Sequence, residues 1–200
     1  NLYLALQTGA DSAELTLNGV TVTIDLAGGS VSLNALASNT DGQDSFNCNI
    51  VIADEMHAYK SPKNYNVLKE ALTQQGYTFV SETDTEVVVQ LIEYIKTKNN
   101  CSLFDAVKEA ARQIVGAYAI AVIDKNNPDE IIAARQSSPL VIGIKDNEYF
   151  LASDATPIIE YTNKVVYLND GEIAVINRKD GLRVFDIKSR SEAKICITEL

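Results

Sequence analysis

Apolar and polar residues alternate along this chain with two different periods, and the change comes near Ser61. Ahead of that point the period is two. Leu15-Thr16-Leu17 and Val20-Thr21-Val22-Thr23-Ile24 flank the pair Asn18-Gly19, a pattern that predicts a β-hairpin closed by a type I′ turn. Residues 2–7 are a short apolar stretch that predicts the tail of a helix. Residues 31–37 read as a strand after Gly28-Gly29, and residues 38–47 are polar and turn-rich. Ile50-Val51-Ile52-Ala53 is then a short apolar strand ending at Asp54-Glu55.

Past Ser61 the spacing becomes helical. Val67, Leu68 and Ala71 share one face of a helix that runs to about Gln75, Lys69 and Glu70 face water, and Gly76 suits the position just beyond its end. Tyr77-Thr78-Phe79-Val80 reads as a strand. Thr83-Asp84-Thr85-Glu86 has the Thr-x-x-Glu form of a capping box, opening a helix whose buried stripe is Val87, Val88, Leu91, Ile92 and Ile95. Ser102 caps a second helix, with Leu103, Val107, Ala110, Ala111 and Ile114 inward. Beyond Gly116 strands are predicted over 117–123, 130–135, 140–144, 149–152, 165–168, 172–176 and 182–187, with a short helical pattern over 155–161. Two helices on an antiparallel sheet, with further strands following, predict an α+β layered fold.

Composition narrows the function classes. The chain has 200 residues, 46% of them apolar, enough for a real core. No apolar run approaches the roughly 18 residues of a membrane span, and the first residues lack the basic and apolar regions of a signal peptide. Cys48, Cys101 and Cys196 have no metal or redox spacing and leave one thiol over in any disulfide scheme. A reduced, cytoplasmic setting is therefore expected. The net charge of -10 divides evenly on either side of Lys63. No Lys/Arg-rich face is present for a phosphate backbone, which disfavours nucleic acid as a direct ligand.

An apolar strand that ends in Asp-Glu is the physical form of a Walker B element. Asp54 would hold magnesium through water, and Glu55 would polarise the attacking water. Residues 36–43 together with Cys48-Asn49-Ile50-Val51-Ile52-Ala53-Asp54-Glu55-Met56-His57-Ala58-Tyr59-Lys60 resemble the ATPase domain of phage terminase large subunits, over about residues 2–71. The sequence contains no Gly-Lys dipeptide of a phosphate-binding loop. His57, the sole histidine, has no second ligand nearby, and no metal site is expected.

A second resemblance begins at Asn64. Asn64-Tyr65-Asn66-Val67-Leu68-Lys69-Glu70, Gly76-Tyr77-Thr78-Phe79-Val80-Ser81-Glu82-Thr83-Asp84-Thr85-Glu86-Val87, Gly116-Ala117-Tyr118-Ala119, Ser138-Pro139-Leu140-Val141-Ile142-Gly143 and Phe150-Leu151-Ala152-Ser153-Asp154 together resemble the glutaminase domain of glutamine:fructose-6-phosphate aminotransferases. The resemblance implies part of an N-terminal-nucleophile (Ntn) hydrolase fold, an αββα sandwich, and glutamine as substrate in amino sugar biosynthesis, with no cofactor. It also implies that Asp84 holds the α-amino group of glutamine. In that family an N-terminal cysteine is the nucleophile, whereas residue one here is asparagine. Cys48-Asn49-Ile50-Val51 imitates the family's opening Cys-Gly-Ile-Val but stands too close to the junction to serve. The family's His-Asn-Gly oxyanion-hole segment falls on Ala58, Tyr59 and Lys60, and its Arg-Trp-Ala-Thr-His-Gly segment and sugar-phosphate domain have no counterpart.

Taken together, these readings predict a chimera. Residues 1–63 form a terminase-like, β-rich fragment resembling a P-loop ATPase, and residues 64–200 form the C-terminal part of a class II glutamine amidotransferase domain. The expected function is a glutaminase-domain fragment without catalytic residues. The alternatives are an ATPase-related fragment of a DNA-packaging terminase and a non-enzymatic scaffold. Because both faces must match for strands to pair, the upstream hairpin is expected not to complete the downstream sheets in register.

Overall fold

A computed structural model describes residues 2–7, 12–17, 20–25, 50–54, 62–81, 83–146, 148–189 and 191–200. The expected strand over 31–37, the Asn18-Gly19 turn, Glu55, His57 and residues 58–60 lie outside the described residues. Two stacked antiparallel sheets carry one layer of helices on the outer side of the second sheet. In chain order the elements are β1 (Leu2–Gln7), β2 (Ser12–Leu17), β3 (Val20–Asp25), β4 (Ile50–Asp54), α1 (Pro62–Gln74), α2 (Asp84–Asn99) and α3 (Leu103–Gln113). They continue with β5 (Tyr118–Asp124), β6 (Asn127–Gln136), β7 (Val141–Lys145), β8 (Glu148–Ala152), β9 (Lys164–Tyr167), β10 (Glu172–Asn177), β11 (Gly181–Asp186), β12 (Glu192–Ala193) and β13 (Thr198–Glu199). The first sheet has the order β13-β9-β7-β8-β1-β2-β3, the second β12-β11-β10-β6-β5-β4.

The second sheet is covered on both faces. This explains why β5 reads Tyr-Ala-Ile-Ala-Val-Ile-Asp, with all seven residues buried. Ala119, Ala121 and Ile123 meet Ile142, Leu151 and Val166 of the first sheet. Tyr118, Ile120 and Val122, on the opposite face, meet Val88, Ile92, Val107 and Ala110 of the helices. The expected inner stripes of α2 and α3 are buried as read from their spacing.

The upstream strands join these sheets in register, against expectation. Leu4 pairs with Leu151, Leu15 with Leu4 and Val22 with Leu15, which extends the row of Val166 and Ile142. The neighbouring row runs from Val165 and Phe150 through Ala5, Glu14 and Thr23. Alternation in the hairpin thus has the parity the register needs, with apolar residues in the row of Leu151 and mostly polar ones in the row of Phe150. β4 pairs with β5, Ile52 against Val122 and Val51 against Ile123. Each sheet therefore takes strands from both sides of residue 63.

Five other local expectations are corrected. Residues 2–7 form a strand, because β8 offers an open edge that an isolated helical turn would not use. In α1 the buried positions are Tyr65 and Leu72 with Leu68 partly covered, while Val67 is 62% exposed; Tyr65 has more apolar surface to bury and sets the rotation of the helix. Lys69 turns away from water, since its Nζ donates to Ser81 O and lies over the Phe79 ring. Residues 77–80 pair with no strand among the described residues. Residues 155–161 make successive turns rather than a regular helix, and Ile158, fully buried, caps the outer face of the first sheet with Val141, Phe150 and Val165. That approach requires Gly143, where an added Cβ would stand 2.5 Å from Ile158 Cγ2.

Two connections pass between the sheets side by side, β6 to β7 and β9 to β10. Asp170 Oδ1 accepts from Arg135 Nη2 and from the Ser137 backbone N–H, Arg135 Nη1 donates to Leu168 O, and Gly171 N donates to Arg135 O. Ser137 is held at a positive φ of 58° by these contacts. Among the described residues no helix is long and apolar enough to cross a membrane.

Three outcomes follow from this packing. Thermal or urea unfolding, followed by far-UV circular dichroism and hydrogen exchange, should be one transition in which β1–β3 and β5–β11 open together; a separate early transition of the hairpin would contradict the pairing. Gly143→Ala should lower stability by about 1–3 kcal/mol through overpacking against Ile158, read by urea denaturation. Burial, with a smaller contribution from the Asp170 charge, pushes the Tyr118 phenol from 10.0 up to about 12. Its protonated form is favoured by folding, so its contribution is complete below pH 10 and is lost as the pH rises to about 12. Denaturation at pH 9 and pH 11 should show a smaller decline for Tyr118→Phe than for the parent chain.

Candidate functional site

Asp84 is the first residue of α2, behind the N-cap Thr83, whose extended backbone lets its side chain accept from Glu86 N. The expected capping box is only half formed. Glu86 does not reach back to Thr83 N, which instead donates to Ser81 Oγ. Its carboxylate turns to the preceding segment and accepts from Val80 N at 2.8 Å and Ser81 N at 2.7 Å. Gln90 donates to Thr78 O. Side chains of α1 and α2 thus take the place of a neighbouring strand for residues 78–81, satisfying backbone groups that would otherwise need a sheet.

Contacts at both ends of the helical layer fix which end carries Asp84. Near the end of α2, Lys96 Nζ lies 2.8 Å from Asp124 Oδ2 at the end of β5. After the short connection at Asn100–Ser102 the chain returns along α3, and near its end Ala111 O accepts from Tyr118 Oη at the start of β5. α2 therefore begins where β5 begins. β4 runs opposite to β5 and closes there too, with Asp54 in register with Ile120. The chain leaves β4 at this end into residues 55–61 before entering α1. Asp54 and Asp84 are thus brought to one end of one sheet.

Electrostatics single out Asp84. Burial raises its carboxyl above the ordinary range, and neither a hydrogen bond nor an opposite charge among the described residues opposes that rise. The positive end of the α2 dipole favours a negative charge here by about 0.3–1 kcal/mol, but leaves it without a direct counter-charge. Such a carboxylate is suited to a ligand that brings a cation and N–H donors, and an ammonium supplies both. Two clefts among the described residues lie elsewhere. One of about 550 Å³ is lined by Tyr94, Cys101 and Lys108 toward the far end of α2, and one of about 640 Å³ by Ile144, Tyr161 and Ile197. Neither includes Asp84.

Sequence reasoning missed the role of Glu86 in holding residues 80–81. The only signal was an acidic residue three positions past a cap, which suggests the commoner capping box. It also missed the Arg135–Asp170 tie, whose partners are 35 residues apart.

Comparison with known proteins agrees with the downstream reading. A family profile described as a glutamine amidotransferase domain matches residues 61–174. The glutamine–fructose-6-phosphate aminotransferase (isomerizing) of Bacteroides thetaiotaomicron is 63% identical over 127 residues, covering 64% of this chain and 21% of that protein. The enzyme of the same name from Chlorobaculum tepidum is 50% identical over 139 residues, covering 69% and 22%. The chain thus spans about a fifth of the length of these relatives. Among solved structures, glutamine phosphoribosylpyrophosphate amidotransferase from B. subtilis superposes with a TM-score of 0.54 at 26% identity over 70% of this chain and 29% of that one. A structure titled as the allosteric regulatory enzyme of purine biosynthesis matches with a TM-score of 0.59 at 21% identity. That likeness of fold extends over 94% of this chain and 43% of the other, so it takes in upstream strands as well. The family match and the two-sheet architecture with its helical layer agree: this chain belongs to the glutamine amidotransferase domain family.

Proposed function

We propose that this chain is a glutamine-recognising part of an amidotransferase domain of the glutamine:fructose-6-phosphate aminotransferase kind, and that it does not hydrolyse glutamine efficiently. Asp84 is the ligand for the α-amino group. The observation that carries this reading is the Asp84 carboxylate, raised by burial at the start of α2 with no described counter-charge, within a region 63% identical to an aminotransferase. An α-ammonium there opposes the rise that burial causes and completes a charge-assisted hydrogen bond.

Weak hydrolysis follows from three residues. Attack on the glutamine amide develops negative charge on its oxygen, and loss of a single donor in such a hole costs roughly 10²–10³ in rate. At the positions of the donor segment, Ala58 has no polar side-chain group, Tyr59 has a phenol in place of a carboxamide, and Lys60 adds a long side chain where glycine lets backbone approach. β4 delivers the chain toward the Asp84 end of the sheet but continues into residues of the wrong chemistry. The sugar acceptor named for the relatives would be served by parts of those proteins beyond the matched fifth.

Terminase descent for residues 2–71, the chimera it implies and a cation role for Asp54 and Glu55 form a second reading. It is supported by the sequence resemblance and by Asp54 closing an apolar strand. That reading requires magnesium-dependent nucleotide binding that Asp54→Asn abolishes.

Calorimetric titration with L-glutamine and an ammonia-release assay test the main reading. Binding should weaken at least roughly tenfold in Asp84→Asn, in line with loss of a charge-assisted hydrogen bond, and ammonia release should stay at the level of buffer. Equal affinity in both proteins would remove Asp84 from the site, and glutamine turnover abolished by Asp84→Asn would show that the donors are supplied by other groups.

A further inference from the structure

Glu86 is the only carboxylate of α2 that is almost wholly buried, at 3% exposure, and its hydrogen bonds lead toward Asp84 rather than into the core. Oε1 accepts from Val80 N, and Oε2 accepts from Ser81 N and from Ser81 Oγ, at 2.8, 2.7 and 2.7 Å. Because the Ser81 hydroxyl gives its hydrogen to the carboxylate, the contact of 2.8 Å between Ser81 Oγ and Thr83 Oγ1 is donated by Thr83. Thr83 Oγ1 keeps a lone pair for Glu86 N at 3.4 Å, and Ser81 Oγ also accepts Thr83 N at 3.2 Å. A closed ring of hydrogen bonds thus runs from Glu86 through Ser81 and Thr83 back to the Glu86 backbone. Asp84 is attached to this ring through its own backbone.

We propose that Glu86 is a positioning residue for Asp84: by anchoring Ser81 and Thr83 it sets where the α-amino-binding carboxylate stands. This rests on the reading of Asp84 given above. The buried carboxylate draws the hydroxyl hydrogens of Ser81 and Thr83 in one direction, which fixes the cap and the direction in which the chain enters α2. Lys69 Nζ on Ser81 O holds the same segment from α1. The partners of this carboxylate all belong to the three residues before the cap.

Two variants of the full chain test the proposal, Glu86→Gln and the milder Ser81→Ala, with folding checked by circular dichroism. Affinities are measured for L-glutamine and for 4-carbamoylbutanoate, the same molecule without its α-amino group. Glu86→Gln should weaken glutamine roughly tenfold and leave the deaminated analogue unchanged, and Ser81→Ala should do the same to a smaller degree. Equal loss for both ligands, or no loss for either, would overturn the proposal. In the ligand-free protein, the Asp84 carboxyl titration followed by NMR should return toward the ordinary carboxylate range in both variants. An unchanged titration would also overturn it. A parent chain that binds both ligands equally would instead defeat the assignment of Asp84 as a ligand, with the ligand-free titration still deciding whether Glu86 places it.

Discussion

Burial of β5, β6 and β10 on both faces is the constraint from which the rest of the structure follows. One face of these strands meets a second sheet and the other meets a helical layer, so no position along Tyr118–Asp124 is free to be polar except where a partner is supplied. Asp124 is accepted at the end of β5 because Lys96 and the Asn126 N–H satisfy it. Tyr118 is accepted at the start because Ala111 O takes its hydroxyl. These two polar ends, one at each limit of an apolar strand, also fix how α2 and α3 lie across the sheet. The position of Asp84 is a consequence of that alignment.

The segment before α2 shows how a stretch can look like a strand and not become one. Tyr77-Thr78-Phe79-Val80 has the β-branched and aromatic composition of a strand, but it joins neither sheet among the described residues. Tyr77 and Phe79 pack against the helical core, and the backbone is met by Glu86, Gln90 and Lys69. A strand would have placed rigid main-chain bonds next to Asp84. Side-chain bonds occupy that place, so the geometry of the site depends on the identity of a few residues.

Elements with a period set by their own residues were legible in the sequence: the buried stripes of α2 and α3, the caps at Thr83 and Ser102, the hairpin pairing of Leu17 with Val20 and the strands β5 to β11, whereas the two-residue strands β12 and β13 were not. Elements defined by a distant partner were not. Residues 2–7 become a strand only because β8 has an edge, and α1 turns Val67 outward because Tyr65 and Leu72 fit the α2 surface. The candidate site divides the same way. Asp84 could be singled out because a resemblance implied a role for it, while the contacts of Glu86 were hidden by its looking like an ordinary cap partner. The expectation that the hairpin would not match the sheet failed because it treated ancestry as if it were side-chain parity.

The pairing of β4 with β5 separates two kinds of information that usually travel together. For the sheet, β4 is acceptable if five residues pair in register with β5, and Ile-Val-Ile-Ala-Asp does so. For chemistry, what matters is which side chains follow the strand, which register alone does not decide. A scaffold of this kind proofreads shape and is blind to meaning, so strand pairing places no demand on the chemistry of the residues that follow the strand.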